Sequence, residues 1–202
     1  MLILSSLYLP PIQYFAHLYA DPVAIEDQGE HFIKQTYRNR CLIATPNGPQ
    51  ALTIPVVRDG SGGHTPMHDV RISSHGNWRH LHWQALLSAY GETPFFEFYA
   101  DDLRPFFEER RWTFLLDFNL DITRTVCSLL DIRPEMSLSR HYIEDPQAVD
   151  LRDAIRPKHP LPDPEFEPQP YYQVRSARHG FLPNLSVLDL LFNEGPEGIF
   201  WL

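Results

Sequence analysis

The sequence predicts a single α/β or α+β domain, in which a mixed sheet from the N-terminal third packs with helices from the middle and the C-terminus. Three observations lead to this fold class. Short apolar runs of β type fill the first seventy residues, helical periodicity dominates residues 77–130, and an amphipathic stretch closes the chain. With 202 residues, 43% of them hydrophobic, the chain can bury one sizeable core, so we expect residues 1–202 to form one domain.

The N-terminal elements follow from local patterns. An opening strand is predicted for "LILSSLYL", and a short helix for "IQYFAHLYA", which follows two prolines. Strands are then predicted for "VAIED" and "FIKQTYRNR". Two β-rich arms flank Asn47-Gly48, which indicates a hairpin, and the prolines at 46 and 49 predict a turn longer than two residues.

The middle of the chain alternates loop and helix signals. "DGSGGHTP" predicts a flexible loop and "DVRIS" a possible strand, after which helices are predicted at 77–90, at 95–110 with a break near Pro105, and at 112–130. Residues 157–170 contain six prolines, which favour an extended segment on the surface. Fewer than forty residues follow this segment, too few for a second domain, so they must pack back on the first part.

Composition excludes several function classes. The net charge of −9 argues against general binding to nucleic acid, because such binding depends on a basic surface. The start of the chain lacks the basic residues of a signal peptide, and no apolar run reaches the length of about 20 residues that a membrane helix needs. The two cysteines form no CxxC pair, which is typical of free thiols in a cytoplasmic protein.

The tryptophan- and histidine-rich helix at 77–90 carries the first candidate for chemistry. His82 lies within its apolar arc, whereas His80 points about 200° away at 100° per residue, so the two cannot share a metal ion. Burial lowers the pKa of an imidazole and yields a neutral base near neutral pH. His82 is therefore either a general base or a hydrogen-bonded core histidine.

A second candidate is a row of cations. On a strand, Lys34, Arg38 and Arg40 would point to one face, where arginine could hold a phosphate or carboxylate through two parallel hydrogen bonds. The alternative is a solvated face, or pairing with the nearby acids. Those acids are Glu26, Asp27 and Glu30.

Three other features have simpler explanations. Cys41 follows Arg40, which could lower the pKa of its thiol, but no cysteine-hydrolase motif surrounds it and a buried structural cysteine is the expected role. Ser186 and Asp189 fit the start of a C-terminal helix that ends at Gly195 and Pro196. No P-loop or Rossmann glycine motif is present.

The order of these segments resembles the WbqC-like protein family. The matching stretches are "YLPPIQYFAHLY", "IEDQGEHFIKQTYRNRC", "LTIPV", "WRHLHWQALLSAYGETPFF", "YYQV" and "FLPNLSVLDLLFNEGP". They cover nearly the whole chain, with the weakest match at 134–168. His17 stands where a glycine is common in the family. The resemblance implies a role in bacterial surface-polysaccharide biosynthesis, with glycyl or other aminoacyl transfer to an O-antigen sugar as one expected activity.

The resemblance also selects polar residues within the matched segments. His82, Tyr90 and Tyr172 are the expected catalytic residues. The expected ligand-binding residues are Gln13, Lys34, Asn39, Arg40 and Gln173. Two functions remain open: a transferase that acts on a nucleotide sugar or lipid-linked glycan, or a non-catalytic ligand-binding or scaffold protein of the same pathway. Thiol catalysis through Cys41 is a third, minor alternative. The sequence assigns no cofactor, no metal and no oligomeric state.

Overall fold

The computed structural model describes residues 1–21, the backbone of 23–27, and residues 29–57, 64–139 and 141–202. It confirms the mixed α/β class, with small sheets in the N-terminal part and helices in the middle and at the C-terminus. Five of the eight residues of the predicted "DGSGGHTP" loop, 59–63, lie outside the described residues, as do the side chains of Glu26 and Asp27.

A four-stranded parallel sheet forms the base of the fold. Strand β1 (Leu2–Ser5) leads through helix α1 (Ile12–Ala20) to β2 (Val23–Asp27), and the two strands pair in parallel. The outer strands are β5 (Glu135–Ser139) beside β2 and β6 (Val149–Asp150) beside β1, which gives the order β5-β2-β1-β6. Half of this sheet therefore comes from residues 135–150, later in the chain than the sequence predicted.

A separate antiparallel hairpin, β3 (Arg40–Thr45) and β4 (Gly48–Thr53), follows the predicted Asn47-Gly48 signal. Thr45 pairs directly with Gly48, so the turn contains only two residues and the predicted widening by the prolines is wrong. Gly48 has a φ of 98°, a conformation that glycine adopts without the steric cost of a side chain.

The segment 32–39 is not the strand that we predicted. It consists of turns, and only Arg40 belongs to β3. The polar side chains of Thr36 and Arg38 find buried partners, which turns can satisfy and a regular strand facing solvent would not. In "DVRIS", Arg71 and Ile72 form only isolated bridges.

Three helices cover the middle of the chain close to the predicted positions: α2 (Trp78–Tyr90), α3 (Phe96–Glu108) and α4 (Leu115–Leu129). Helix α3 continues through Pro105, so the predicted break there is wrong. Each buries one apolar face in a core that also receives β1 and the hairpin. No helix in the described part of the chain is both long and apolar enough to cross a membrane.

The C-terminal residues return to this core as predicted. The short helix α5 (Ser176–His179) precedes α6 (Val187–Glu194), whose apolar side chains are completely buried. Ser186 accepts a hydrogen bond from the Leu188 amide as the N-cap, and Gly195, with a φ of 60°, follows the last turn of α6. The proline-rich residues 157–170 form neither helix nor strand.

Candidate functional site

The carboxyl end of β1, where parallel sheets often bind ligands, is filled by the protein's own side chains. Arg38 donates to Glu30 at 2.5 Å from Nη2 to Oε2, and both side chains are 5% exposed. The Ser5 hydroxyl bonds to both members of this pair. Asn119 donates to Ser6 and to the Arg38 carbonyl. Arg38 is therefore a structural residue in a closed network.

Arg40, two residues after Arg38, lies in a surface groove of about 280 Å³. This Lys34–Arg40 groove is lined by Phe32, Lys34, Gln35, Asn39, Arg40, Thr53, Ile54, Pro55 and Val56. The Arg40 Nε donates to the Thr53 hydroxyl at 3.2 Å, and Asn39 Nδ2 donates to the Ile54 carbonyl at 2.8 Å. Within the described ranges, neither Lys34 nor Arg40 forms an ion pair, so both can receive an anion.

His82 lies behind this groove rather than in it. Its Nδ1 is 2.9 Å from the Tyr8 hydroxyl, and its second ring bond is to the backbone of Thr53, the residue whose hydroxyl Arg40 contacts. The side chain is in the core, where burial lowers its pKa to about 4, although the Thr53 bond opposes this shift. The ring is thus neutral at pH 7, with Tyr8 as the donor to Nδ1.

Tyr90 and Gln173 belong to a different buried cluster. The Tyr90 hydroxyl accepts from the Ala44 amide, and Gln173 donates to Asp189 at 2.9 Å. Asp189 also accepts from the Tyr171 hydroxyl at 2.5 Å. Burial raises the pKa of Asp189, an effect that hydrogen bonds from Tyr171, Tyr90 and Gln173 partly offset. The Asp189 carboxyl therefore joins α6 to the preceding segment and does not serve as a helix cap.

Tyr172 lies outside that cluster. Its side chain is 56% exposed, and its backbone amide bonds to Glu194, while its neighbour Tyr171 points inward. Tyr172 was selected through the family resemblance of the "YYQV" stretch, which does not tell which of the two tyrosines faces the core.

Gln13 holds a third group of polar residues together. It exchanges hydrogen bonds with Asn184 and donates through Nε2 to Asp163 at 2.6 Å. His17, one turn further along α1, contacts the same Asp163 oxygen through Nε2 at 2.7 Å. Burial would raise the pKa of Asp163, but the bonds from Gln13 and His17 outweigh it and lower the pKa.

The predicted site residues therefore separate into groups. Lys34, Asn39 and Arg40 line one groove, and His82 is joined to that groove through Thr53. The remaining predicted residues lie in other hydrogen-bond groups or on the surface: Gln13, Tyr90, Tyr172 and Gln173.

Cys41 does not have an activated thiol. It is 1% exposed, and burial raises its pKa far above the ordinary value despite a backbone hydrogen bond from Leu52. The adjacent Arg40 turns to Thr53 instead, because successive strand residues point to opposite faces. The suggested lowering of the thiol pKa is wrong, and thiol catalysis loses its basis. In the described part of the chain, no three potential metal ligands come together.

Three acidic residues of these groups were not singled out as functional by the sequence: Glu30, Asp163 and Asp189. Each bonds to a partner that is distant in the sequence or in another element, such as Asp163 with His17, 146 residues apart. For Asp163 and Asp189 the only local signal was an acid whose neighbours are apolar or proline, whereas Glu30 had been named as a possible partner of the nearby cations.

Comparison with known proteins agrees with this arrangement of segments. The chain is 28% identical to the uncharacterized protein Rv1507c of Mycobacterium tuberculosis over 219 aligned positions, which cover 96% of this chain and 94% of that protein. No solved structure matches the chain significantly. The model of the WbqC-like protein family matches residues 6–156, a stretch that contains both the groove and His82. The chain therefore belongs to the WbqC-like protein family.

Proposed function

We propose that this protein binds an anionic, sugar-linked ligand in the Lys34–Arg40 groove as part of surface-polysaccharide biosynthesis. One observation carries the proposal: Lys34, Asn39 and Arg40 line the same groove, and the two cations have no acidic partner in the described part of the chain. An unpaired arginine beside a lysine suits a phosphate or diphosphate, as found in nucleotide sugars and lipid-linked glycans. The pathway comes from the family alone.

The walls of the groove fit the rest of such a ligand. Phe32, Ile54, Pro55 and Val56 offer apolar surface for a sugar ring or base, and the Gln35 amide lies at the edge. Lys158, at the start of the proline-rich segment, donates to Gln35 Oε1 at 3.2 Å and adds a third positive charge nearby. Convergent polar groups over an apolar floor are typical of small-molecule sites.

Binding can be tested by thermal shift and calorimetry with UDP-N-acetylglucosamine, uridine diphosphate and undecaprenyl phosphate. A ligand at one hundred times its dissociation constant should stabilise the protein by about 2.7 kcal/mol. The variant Lys34→Met/Arg40→Met should weaken binding by at least about tenfold, because charge-assisted bonds are lost. The matched variant Arg133→Met/Arg178→Met removes two exposed charges elsewhere and should bind normally. Equal loss in both variants, or no stabilisation by any probe, would count against the groove.

A catalytic form of the same proposal is an acyl or aminoacyl transferase. It is favoured by one contact: His82 and Arg40 both bond to Thr53, so a single residue separates the neutral imidazole from a ligand anchored at Arg40. His82 would take the proton of an attacking sugar hydroxyl or amine, the acyl group would pass to that atom, and the donor's leaving group would depart. Because Thr53 separates the ring from the groove, this strand edge must move first.

Binding is the better-supported form, because both nitrogens of His82 already have partners and a pKa of about 4 makes a weak base at pH 7. Mass spectrometry of reactions that contain glycyl or acyl donors and a nucleotide sugar distinguishes the binding form of the proposal from the transferase form. A transferase should yield an acylated sugar, and His82→Gln should abolish the product while it leaves the dissociation constant unchanged. Ligand binding without product would identify a non-catalytic binding protein.

A further inference from the structure

A second cavity, of about 290 Å³, lies between α1, the proline-rich segment and the residues after α6. This His17 cavity is lined by Ala16, His17, Ala20, Glu165, Phe166, Glu167, Gln169, Trp201 and Leu202. Its size is near the lower end of small-molecule pockets, about 300 Å³. None of these residues lines the Lys34–Arg40 groove, so the cavity is a separate place on the molecule.

One buried polar group, His17, forms part of the cavity wall. His17 is 6% exposed, and its Nε2 bonds to Asp163, which also accepts from Gln13; Asn184 in turn bonds to Gln13. Because the ionised Asp163 accepts, the His17 Nε2 donates this hydrogen bond. Among the described residues, the second ring nitrogen, Nδ1, has no hydrogen-bond partner. A histidine positioned by a carboxylate thus lines the cavity with one ring nitrogen unpartnered.

The charged side chains among the described lining residues are acidic. Glu165 and Glu167 contribute two carboxylates, and no lysine or arginine is among the described residues that line the cavity. Phe166 and Trp201 supply aromatic surface, which attracts organic cations in addition to burying apolar groups. An anionic ligand would meet repulsion here, whereas an ammonium group would find two carboxylates and aromatic ring faces.

We propose that the His17 cavity binds a small organic amine, a primary ammonium group on an apolar or aromatic body. The ammonium donates to His17 Nδ1 and is attracted by Glu165 and Glu167, while the body packs against Phe166 and Trp201. Gln13 and Asp163 are positioning residues for His17. The His17 cavity is separate from the Lys34–Arg40 groove, so either binding proposal can be disproved without affecting the other.

The test is calorimetry of the full chain with tryptamine and, in parallel, indole-3-propionate, which has the same ring but a carboxylate. Tryptamine should bind saturably, and indole-3-propionate at least about tenfold more weakly, because the two probes differ mainly in charge. Saturable binding of both at equal affinity would overturn the proposal, as would the absence of binding by tryptamine at millimolar concentration.

Variants locate the binding. Glu165→Gln/Glu167→Gln removes two exposed charges without a core change and should weaken tryptamine binding about fivefold. The matched variant Glu97→Gln/Glu144→Gln makes the same charge change at exposed positions that do not line the cavity, and it should bind as the wild type does. His17→Phe should also weaken binding. If His17→Phe fails to fold, the carboxylate variant decides alone: unchanged affinity in it would overturn the site.

Discussion

Two arginines in neighbouring parts of the molecule, Arg38 and Arg40, have opposite surroundings. Arg38 is buried and donates to Ser5, and its positive charge is neutralised by the carboxylate of Glu30. In the Lys34–Arg40 groove, Arg40 donates one hydrogen bond to Thr53 and has no acidic partner within the described residues. The difference teaches that a row of cations in the sequence is not one site: the arginine that finds a carboxylate is structural, and the one that does not can bind a ligand.

The largest expected effect comes from breaking the closed pair. Arg38→Met leaves the Glu30 carboxylate buried without its cation and should lower the free energy of unfolding by about 3–5 kcal/mol. Urea denaturation monitored by circular dichroism measures this change. Arg40→Met, the same chemical replacement two residues away, is the control. Equal destabilisation by both replacements would contradict the prediction that Arg38 stabilises the fold and Arg40 does not.

Protonation of His82 should produce the next largest effect. The folded-state pKa is about 4 and the ordinary value is 6.5, so between these pH values the unfolded chain binds a proton that the folded chain does not. Stability should therefore fall by about 3 kcal/mol as the pH drops from 6.5 to 4, and this contribution should level off below pH 4. Urea midpoints across this range should show a shallower pH dependence in His82→Gln. An identical pH dependence in both proteins would mean that folding does not lower the pKa of His82.

A smaller loss is expected at the partner of His82. Tyr8→Phe removes the hydroxyl that donates to Nδ1 and leaves a buried acceptor without a partner, which should cost about 1–3 kcal/mol. Thermal denaturation at pH 7 measures the loss. The surface replacement Tyr172→Phe removes the same hydroxyl group from a side chain that is 56% exposed and serves as its control. A loss no greater than that of Tyr172→Phe would show that the Tyr8–His82 bond is not a stabilising contact.

The smallest effect on stability is expected in the groove. Lys34→Met/Arg40→Met should change the free energy of unfolding by no more than about 0.5 kcal/mol, because neither cation has a buried partner. The same variant should lose protection by the anionic probes. A stability loss comparable with that of Arg38→Met would show that Lys34 and Arg40 stabilise the folded protein, contrary to this prediction.

Much of the fold was predictable because its signals are local. The periodicity of α2 placed His82 on the buried face, the Asn47-Gly48 pair located the hairpin, and Ser186 marked the start of α6. The outer sheet strands were not predictable in the same way. β5 pairs with β2 across more than one hundred residues, and short polar strands such as "EMSLS" carry almost no pattern of their own.

The candidate site was predictable only in part. Lys34, Asn39 and Arg40 line one groove, through turns rather than on a strand face, and their role as a binding site stays a prediction. Gln13, Tyr90 and Gln173 were recognised as polar residues in apolar segments, but each proved to satisfy a distant buried partner. A polar residue within an apolar motif indicates burial with a partner, and the sequence does not say whether that partner is protein or ligand.

By itself, the sequence determined the fold class, the main helices, the hairpin and the family, because these depend on periodicity, turn residues and ordered motifs. Only the tertiary structure decided which charges are neutralised internally. Glu30 pairs with Arg38 and Asp163 orients His17, while Lys34 and Arg40 have no acidic partner in the described part of the chain. The reason is physical: a charge or hydrogen bond acts over a few ångströms in space, and the fold alone sets which distant residues meet at that range.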